Sequence, residues 1–248
     1  MARLTDRVAI VSGAAMGMGQ AAAIRLATDG ATIAIIDRAD ASETIESVKE
    51  AGSTAEGFVC DVTDEGQVND AAKKIADRFG KIDILVNNAG KISPRIPWYE
   101  HTKAQVEEFI EINYVGYFLV TKAVYPYLKQ SPTPRVINVA SRTFFLAGPG
   151  QMGYVASKGA VVGMTRVLAR EMGDDGITVN AVMPGQIATP GTLQYNEEEV
   201  FNRTMANQAI KKRGMPEHLA GLIAFLASDD AELITGQTII CDGGGFMH

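Results

Sequence analysis

Tyr154 and Lys158 stand four residues apart, the spacing that stacks two side chains on one face of a helix. A free phenol titrates near pH ~10 and is a poor base at neutrality. Bringing it down by about three units takes roughly 4 kcal/mol of preferential stabilisation of the phenolate. An ammonium one helical turn away could supply that inside a partly dry cleft, with help from a cationic cofactor ring. The product is a side chain able to exchange a proton with an alcohol or a carbonyl. The same spacing also suits a half-buried helix whose tyrosine packs and whose lysine is solvated. The surrounding residues decide between the two.

A second constellation lies near the N-terminus, where an apolar run leads into Ser12-Gly13-Ala14-Ala15-Met16-Gly17-Met18-Gly19 and then a helix-like segment. Glycines at 13, 17 and 19 let the backbone turn tightly and approach a pyrophosphate at a helix N-terminus. Asp37 ends the next apolar run, 37 − 13 = 24 residues on, near the spacing of a carboxylate that binds an adenosine ribose. A carboxylate accepts from a 2′-hydroxyl and repels a 2′-phosphate, so Asp37 points to NAD. Arg38 could instead pair with such a phosphate, or lie solvated against the adenine.

The elements that must position these groups alternate along the chain. Strand-like runs cover 8–12, 32–37, 55–60, 84–87, 135–140, 178–183 and 238–241, and helix-like segments cover 19–29, 41–50, 65–79, 103–129, 154–172 and 217–226. Continuous apolar strands separated by helices predict a parallel sheet covered on both faces. Right-handed crossovers make it doubly wound. The expectation is one Rossmann-type α/β domain over 1–248, with seven parallel strands and a substrate lid at about 185–207, the least regular stretch. Hydrophobic residues make up 46% of the 248, enough for a large core, and 23 basic against 29 acidic residues give a net charge of −6. No basic stripe marks a nucleic-acid or anionic-membrane surface. No apolar run approaches the ~18 residues of a membrane helix. Arg3, Asp6 and Arg7 interrupt any secretory segment, so a cytoplasmic protein is expected. Cys60 and Cys241 read as free thiols, and no metal site is expected.

Taken in order, 12–19, Asp61-Val62, Asn87-Asn88-Ala89-Gly90, Asn113, Ser141, Tyr154 with Lys158, Pro184-Gly185 with Thr189, and Thr235-Gly236-Gln237 resemble the short-chain dehydrogenase/reductase family. The likeness runs from about Arg7 to Gly244. One departure is Ser12 where the family usually has threonine, which keeps the hydroxyl. The resemblance implies that Ser12, Gly13, Gly17, Met18, Gly19, Asp37 and Arg38 bind the cofactor. It implies the same of Asp61 and Val62 beside the adenine, and of Asn87, Ala89 and Gly90 after the fourth strand. Pro184, Gly185, Ile187 and Thr189 would hold the nicotinamide end, where Tyr154 and Lys158 also touch the cofactor. For Asn87 to Gly90 a plain turn is the other reading.

Ser141 ends a strand and on this topology faces the crevice that Tyr154 faces, so its hydroxyl could hold a substrate oxygen beside the phenol. Asn113 sits in an otherwise apolar helical stretch, where a buried amide needs partners. The bland reading is a satisfied core asparagine. The resemblance implies a catalytic tetrad of Asn113, Ser141, Tyr154 and Lys158, with Asn113 holding a water that links Lys158 to solvent. The reaction implied is interconversion of a secondary, cyclic or aromatic alcohol and its carbonyl with NAD. Segments 91–98, 142–150 and 189–202 should line the substrate pocket, contributing Trp98, Phe144 and Phe145, or else the phenylalanines pack in a core or between subunits. Arg142 could meet an anionic substituent, or pair with an acid. Family members that reduce 3-oxoacyl thioesters are the alternative, against which Asp37 weighs because those mostly use NADPH. A non-catalytic dinucleotide sensor is a third reading, opposed by the complete tetrad. The resemblance also implies a homotetramer, paired through the helices at 103–129 and 154–172.

Overall fold

A computed structural model describes residues 3–92 and 94–247, so the outermost ends of the expected 1–248 unit and Ser93 in the 91–98 segment lie outside the described residues. Among the described residues the strands are β1 (Val8–Ser12), β2 (Thr32–Asp37), β3 (Ala55–Val59), β4 (Ile84–Asn87), β5 (Arg135–Val139), β6 (Thr178–Pro184) and β7 (Thr238–Cys241). They form one sheet in the order β3-β2-β1-β4-β5-β6-β7, with every pair parallel. The helices are α1 (Gly17–Thr28), α2 (Ser42–Glu50), α3 (Glu65–Phe79), α4 (Lys103–Ile110), α5 (Gly116–Leu128), α6 (Thr143–Leu146), α7 (Met152–Glu171), α8 (Pro190–Leu193), α9 (Glu198–Asn207) and α10 (Pro216–Ala227).

The strand runs are unbroken rather than alternating because both faces are covered. Ala9 and Val11 of β1, with Ile33 and Ile35 of β2, join Ala22, Leu26 and Ile223 of α1 and α10 on one face. Ile10, Ala34 and Ile36 join Ile75, Leu119 and Val124 of α3 and α5 on the other. Neighbouring strand residues point to opposite faces, so each layer takes every second side chain. The edge strand β3, half-exposed, carries the polar Glu56.

After β1 the chain winds outward to β3, then returns to the middle as β4. The loops that follow β1 and β4 therefore diverge, and the crevice between them is where such sheets bind ligands. Side chains stitch the two loops together. Ser12 Oγ accepts from the Asn88 and Ala89 N–H groups at 3.0 and 3.1 Å, and Asn88 Nδ2 donates to the Ser12 and Gly13 carbonyls at 3.0 and 2.8 Å. Gly13 has φ +65°, and a Cβ there would lie 2.5 Å from Ala89 Cα, so no larger residue fits at this crossing.

Two expectations need correction. The stretch 103–129 is not one helix: a π turn over Glu111–Val115 separates α4 from α5, with the Gly116 N–H reaching back to the Glu111 carbonyl. An apolar period near 3.6 cannot reveal one inserted residue, and π turns are often found at functional sites. The stretch 185–207, expected to be the least regular, is largely helical. Thr189 caps α8, where Pro190 occupies the first turn, and α9 follows with Glu198 and Glu199 in its first turn.

Candidate active site

A cleft of about 1100 Å³ opens along the crevice, lined among others by Gly13, Asp37, Asp61, Ala89, Gly90 and Thr189. Gly17, Met18, Arg38 and Val62 also line it. At its floor α1 starts without a side-chain cap and without an acid in its first turn, leaving free N–H donors and a positive dipole end. That is the chemistry a pyrophosphate needs, so the site fits a dinucleotide. Ser12 and Gly19 lie beneath the surface and shape the loop: a Cβ at Gly19 would come 2.2 Å from the Gly13 carbonyl oxygen.

Asp37 is locked in place. Its Oδ2 accepts from the Ala15 N–H and its Oδ1 from the Ala39 N–H, both at 2.9 Å. Asp61 is held below the usual carboxylate range chiefly by the N–H and hydroxyl of Thr63, with a smaller contribution from Arg38. Arg38 thus stands between two carboxylates at this end of the cleft.

Several expected contributors lie elsewhere. Asn87 is fully buried and donates to Thr121 Oγ1 and Asn138 Oδ1, both at 2.9 Å, away from the cleft. Pro184 ends β6 inside the sheet. Gly185 and Ile187 line a separate cavity of about 350 Å³ with Asp242 and His218.

At the other end the structure brings Asn113, Ser141, Tyr154 and Lys158 together. Gly90, on the cleft wall, is the cover: a Cβ there would lie 3.0 Å from Asn113 Oδ1 and 3.7 Å from Lys158 Nζ. Tyr154 shares a hydrogen bond with Ser141 and meets Phe109 edge-on at 6.4 Å. Ser141 Oγ also accepts from the Thr143 hydroxyl at 2.8 Å. Asn113 bonds to protein through both ends of its amide. Its Oδ1 accepts from the Lys91 N–H, and its Nδ2 donates to the Lys91 carbonyl and to Ser157 Oγ. In this arrangement the amide fastens the segment after β4 to α7.

Lys158 is 4% exposed. Its Nζ donates to the Val139 carbonyl at 2.8 Å and to the Tyr117 hydroxyl at 3.3 Å, and burial lowers its pKa to about 7. Burial also raises Tyr154, which the bond from Ser141 only partly offsets. The lowered phenol pKa expected from the helix spacing is therefore not a property of the two side chains alone. Desolvation of both groups outweighs their proximity, so any lowering has to come from a further positive charge. Lys158 thus also meets Tyr117 of α5, a residue that no local spacing marks because it lies in an apolar run beyond the π turn.

Arg142 is committed to an acid. Its Nη1 pairs with Asp242 Oδ2 at 2.8 Å, with side chains only 11% and 2% exposed, and Asp242 Oδ1 holds the Gly244 and Gly245 N–H groups. The pair ties the loop after β5 to the segment after β7. Phe144 lies over Gly159, 2.8 Å from where a Cβ would be. Phe145 stacks on Phe246 at 5.3 Å and 2°. Trp98 is 70% exposed, edge-on to Tyr99. None of these four lines the large cleft. Among the described residues no cluster of His, Cys, Asp or Glu could hold a metal ion, and Cys60 and Cys241 are free. No described helix is long and apolar enough to cross a membrane.

Comparison with known proteins gives a consistent picture. The sequence family described as enoyl-(acyl carrier protein) reductase matches residues 13–245. The chain is 38% identical over 243 residues to the (2S)-((R)-hydroxy(phenyl)methyl)succinyl-CoA dehydrogenase subunit BbsD of Thauera aromatica, covering 97% of each. It is 37% identical over 246 residues to the 3-oxoacyl-(acyl-carrier-protein) reductase FabG of Thermotoga maritima, covering 98% of each. The crystal structure of levodione reductase superposes with a TM-score of 0.91 at 33% identity, covering 98% of both chains.

Proposed function

The chain belongs to the short-chain dehydrogenase/reductase family, and on that premise we propose that it is an NAD-dependent oxidoreductase interconverting a secondary, cyclic or aromatic alcohol and its carbonyl. The observation that carries the reading is the Tyr154 hydroxyl bonded to Ser141 beside Lys158, under the cleft wall at Gly90. A nicotinamide dinucleotide, the cofactor of the family, supplies the hydride acceptor or donor when bound. Everything else falls to this chain's residues. Ser141 holds the substrate oxygen, and Tyr154 takes the hydroxyl proton during oxidation or returns it during reduction. Lys158, close beneath, favours the phenolate when charged. Asn113 keeps Gly90 and Lys91 over the pair, which limits water. Thr189, on the cleft rim, fits the carboxamide end.

Asp37 supports NAD over its 2′-phosphorylated form. The two backbone bonds on its carboxylate hold it in place, so turning away gives up both. Even half-screened, a phosphate of charge about −2 beside it costs one or more kcal/mol. Calorimetry should find NAD binding at least about tenfold tighter than NADP, and Asp37→Asn should shrink that gap. NADP binding as tightly as NAD refutes the assignment.

The aromatic part of this class draws support from the relative named as a hydroxy(phenyl)methyl-succinyl-CoA dehydrogenase, and the cyclic part from the levodione reductase neighbour. The second reading, a 3-oxoacyl thioester reductase, draws support from the relative of that name. Initial rates with NAD and a panel of secondary, cyclic and benzylic alcohols, set against 3-oxoacyl thioesters with NADPH, separate the two. Turnover confined to the thioester arm overturns the first; none in either arm favours a cofactor-binding sensor.

The proposal extends to a cytoplasmic homotetramer. Phe118 on α5 and Val167 on α7 are 45% and 54% exposed, and Gly163 faces open space, a flank suited to close helix pairing. Light scattering at micromolar concentration should report four chains, and a monomer contradicts it.

A further inference from the structure

We propose that Tyr117 is the positioning residue of Lys158: its buried hydroxyl holds the ammonium beneath Gly90 and favours its charged form, and so helps to set the pH at which Tyr154 gives up its proton. The inference rests on the acid–base reading of Tyr154 and Lys158 above. Tyr117 is 1% exposed and projects from α5 into an apolar cluster with Ala140, Val161 and Met183. Packing there asks for no hydroxyl, and a buried hydroxyl is costly unless it is bonded. Its O–H donates to the Val139 carbonyl at 3.2 Å, which leaves the phenol oxygen as an acceptor for Lys158 Nζ at 3.3 Å. Val139 does not need the phenol as a donor, since Lys158 already reaches the same carbonyl at 2.8 Å. The partner that gains is the ammonium.

Lys158 Nζ lies 5.1 Å from the Tyr117 centroid, on the hydroxyl side of the ring, so its contact with Tyr117 is made through the phenol oxygen. That acceptor favours the charged amine, against a burial that by itself drives it to about 7. The titratable groups facing this point are Lys158 and Tyr154 from α7 and Tyr117 from α5, with Tyr114 of the π turn packed on the same cluster. β5 contributes the Val139 carbonyl and leads to Ser141. Lys91, on the segment after β4, is turned away to Glu108 of α4.

The sign follows directly. Removing the phenol oxygen lowers the charged fraction of Lys158, so the Tyr154 phenolate loses support and its proton leaves at higher pH. Tyr117→Phe should therefore move the acid limb of kcat/KM for alcohol oxidation upward by about half a pH unit or more, with NAD affinity at a fixed pH within about twofold. A structural role alone would lower stability or overall rate and leave the limb in place. An acid limb unchanged from the wild type overturns the proposal. If circular dichroism shows Tyr117→Phe unfolded, 3-fluorotyrosine at 117 keeps the shape but accepts more weakly, and a smaller upward shift is expected; no shift again overturns it. Tyr154→Phe, run beside these, separates the two levels. If it retains turnover, the acid–base reading itself fails. If it is inactive while both Tyr117 variants keep the wild-type limb, only the role of Tyr117 fails.

Discussion

Tyr154→Phe should lower kcat by roughly 10²–10⁴-fold, the range for loss of a general acid or base, while NAD affinity by calorimetry stays within about threefold. The variant removes one oxygen from a half-buried ring and keeps the edge-on packing against Phe109, so the cleft wall should stand. Ser141 Oγ loses one partner but keeps the Thr143 hydroxyl, which limits the structural cost. Both kcat and kcat/KM should fall together, because the proton moves only in the transition state. Stopped-flow and steady-state rates with the best alcohol of the panel read the effect. A variant with near-normal kcat removes Tyr154 from the chemistry.

Lys158→Met should abolish most turnover and yet yield a protein more stable than the wild type below pH 7, by about 2–4 kcal/mol. Burial brings the lysine from 10.5 to about 7, some 3.5 units at ~1.4 kcal/mol each. Below pH 7 the amine is charged in both folded and unfolded chains, so the full burial penalty of roughly 5 kcal/mol acts there. Between pH 7 and 10.5 the unfolded chain keeps a proton that the folded one has shed, and wild-type stability rises with pH. Methionine removes the penalty and loses two hydrogen bonds of about 1 kcal/mol each. It strands no partner, because Tyr117 still donates to Val139. Urea midpoints at pH 6 and near 10 should show the advantage of the variant shrinking as pH rises. A gap that does not change with pH, or a variant less stable at pH 6, refutes the account. Such a trade of stability for function is expected where a charge is buried for chemistry.

These two experiments bear on the point where sequence and structure part. The spacing of Tyr154 and Lys158 correctly placed both on one helix, α7, but the electrostatics of the pair depends on desolvation, which no local pattern encodes. The same holds for Arg142. It follows Ser141 in the chain, yet its partner Asp242 is 100 residues away, and only the adjacency of β5, β6 and β7 brings them together. Asn87 stands in a stretch that the family resemblance ties to the cofactor, yet its side chain is buried on Thr121 and Asn138. The π turn was invisible because a single inserted residue hardly disturbs an apolar helical pattern.

The sequence by itself determined the doubly wound sheet, the turn after β1 and the pairing of a phenol with an ammonium. Each rests on interactions within a few residues: unbroken β-branched runs, a glycine at a positive φ, side chains one helical turn apart. Only the tertiary structure decided which groups surround that pair. Tyr117 and Val139 reach Lys158 from α5 and β5, Gly90 and Asn113 close over it, and Asp37 is pinned by the loop it faces. Those contacts join elements distant in the chain and are set by how the layers pack. Burial then decides the sign of each pKa, holding the lysine near neutrality and the tyrosine high.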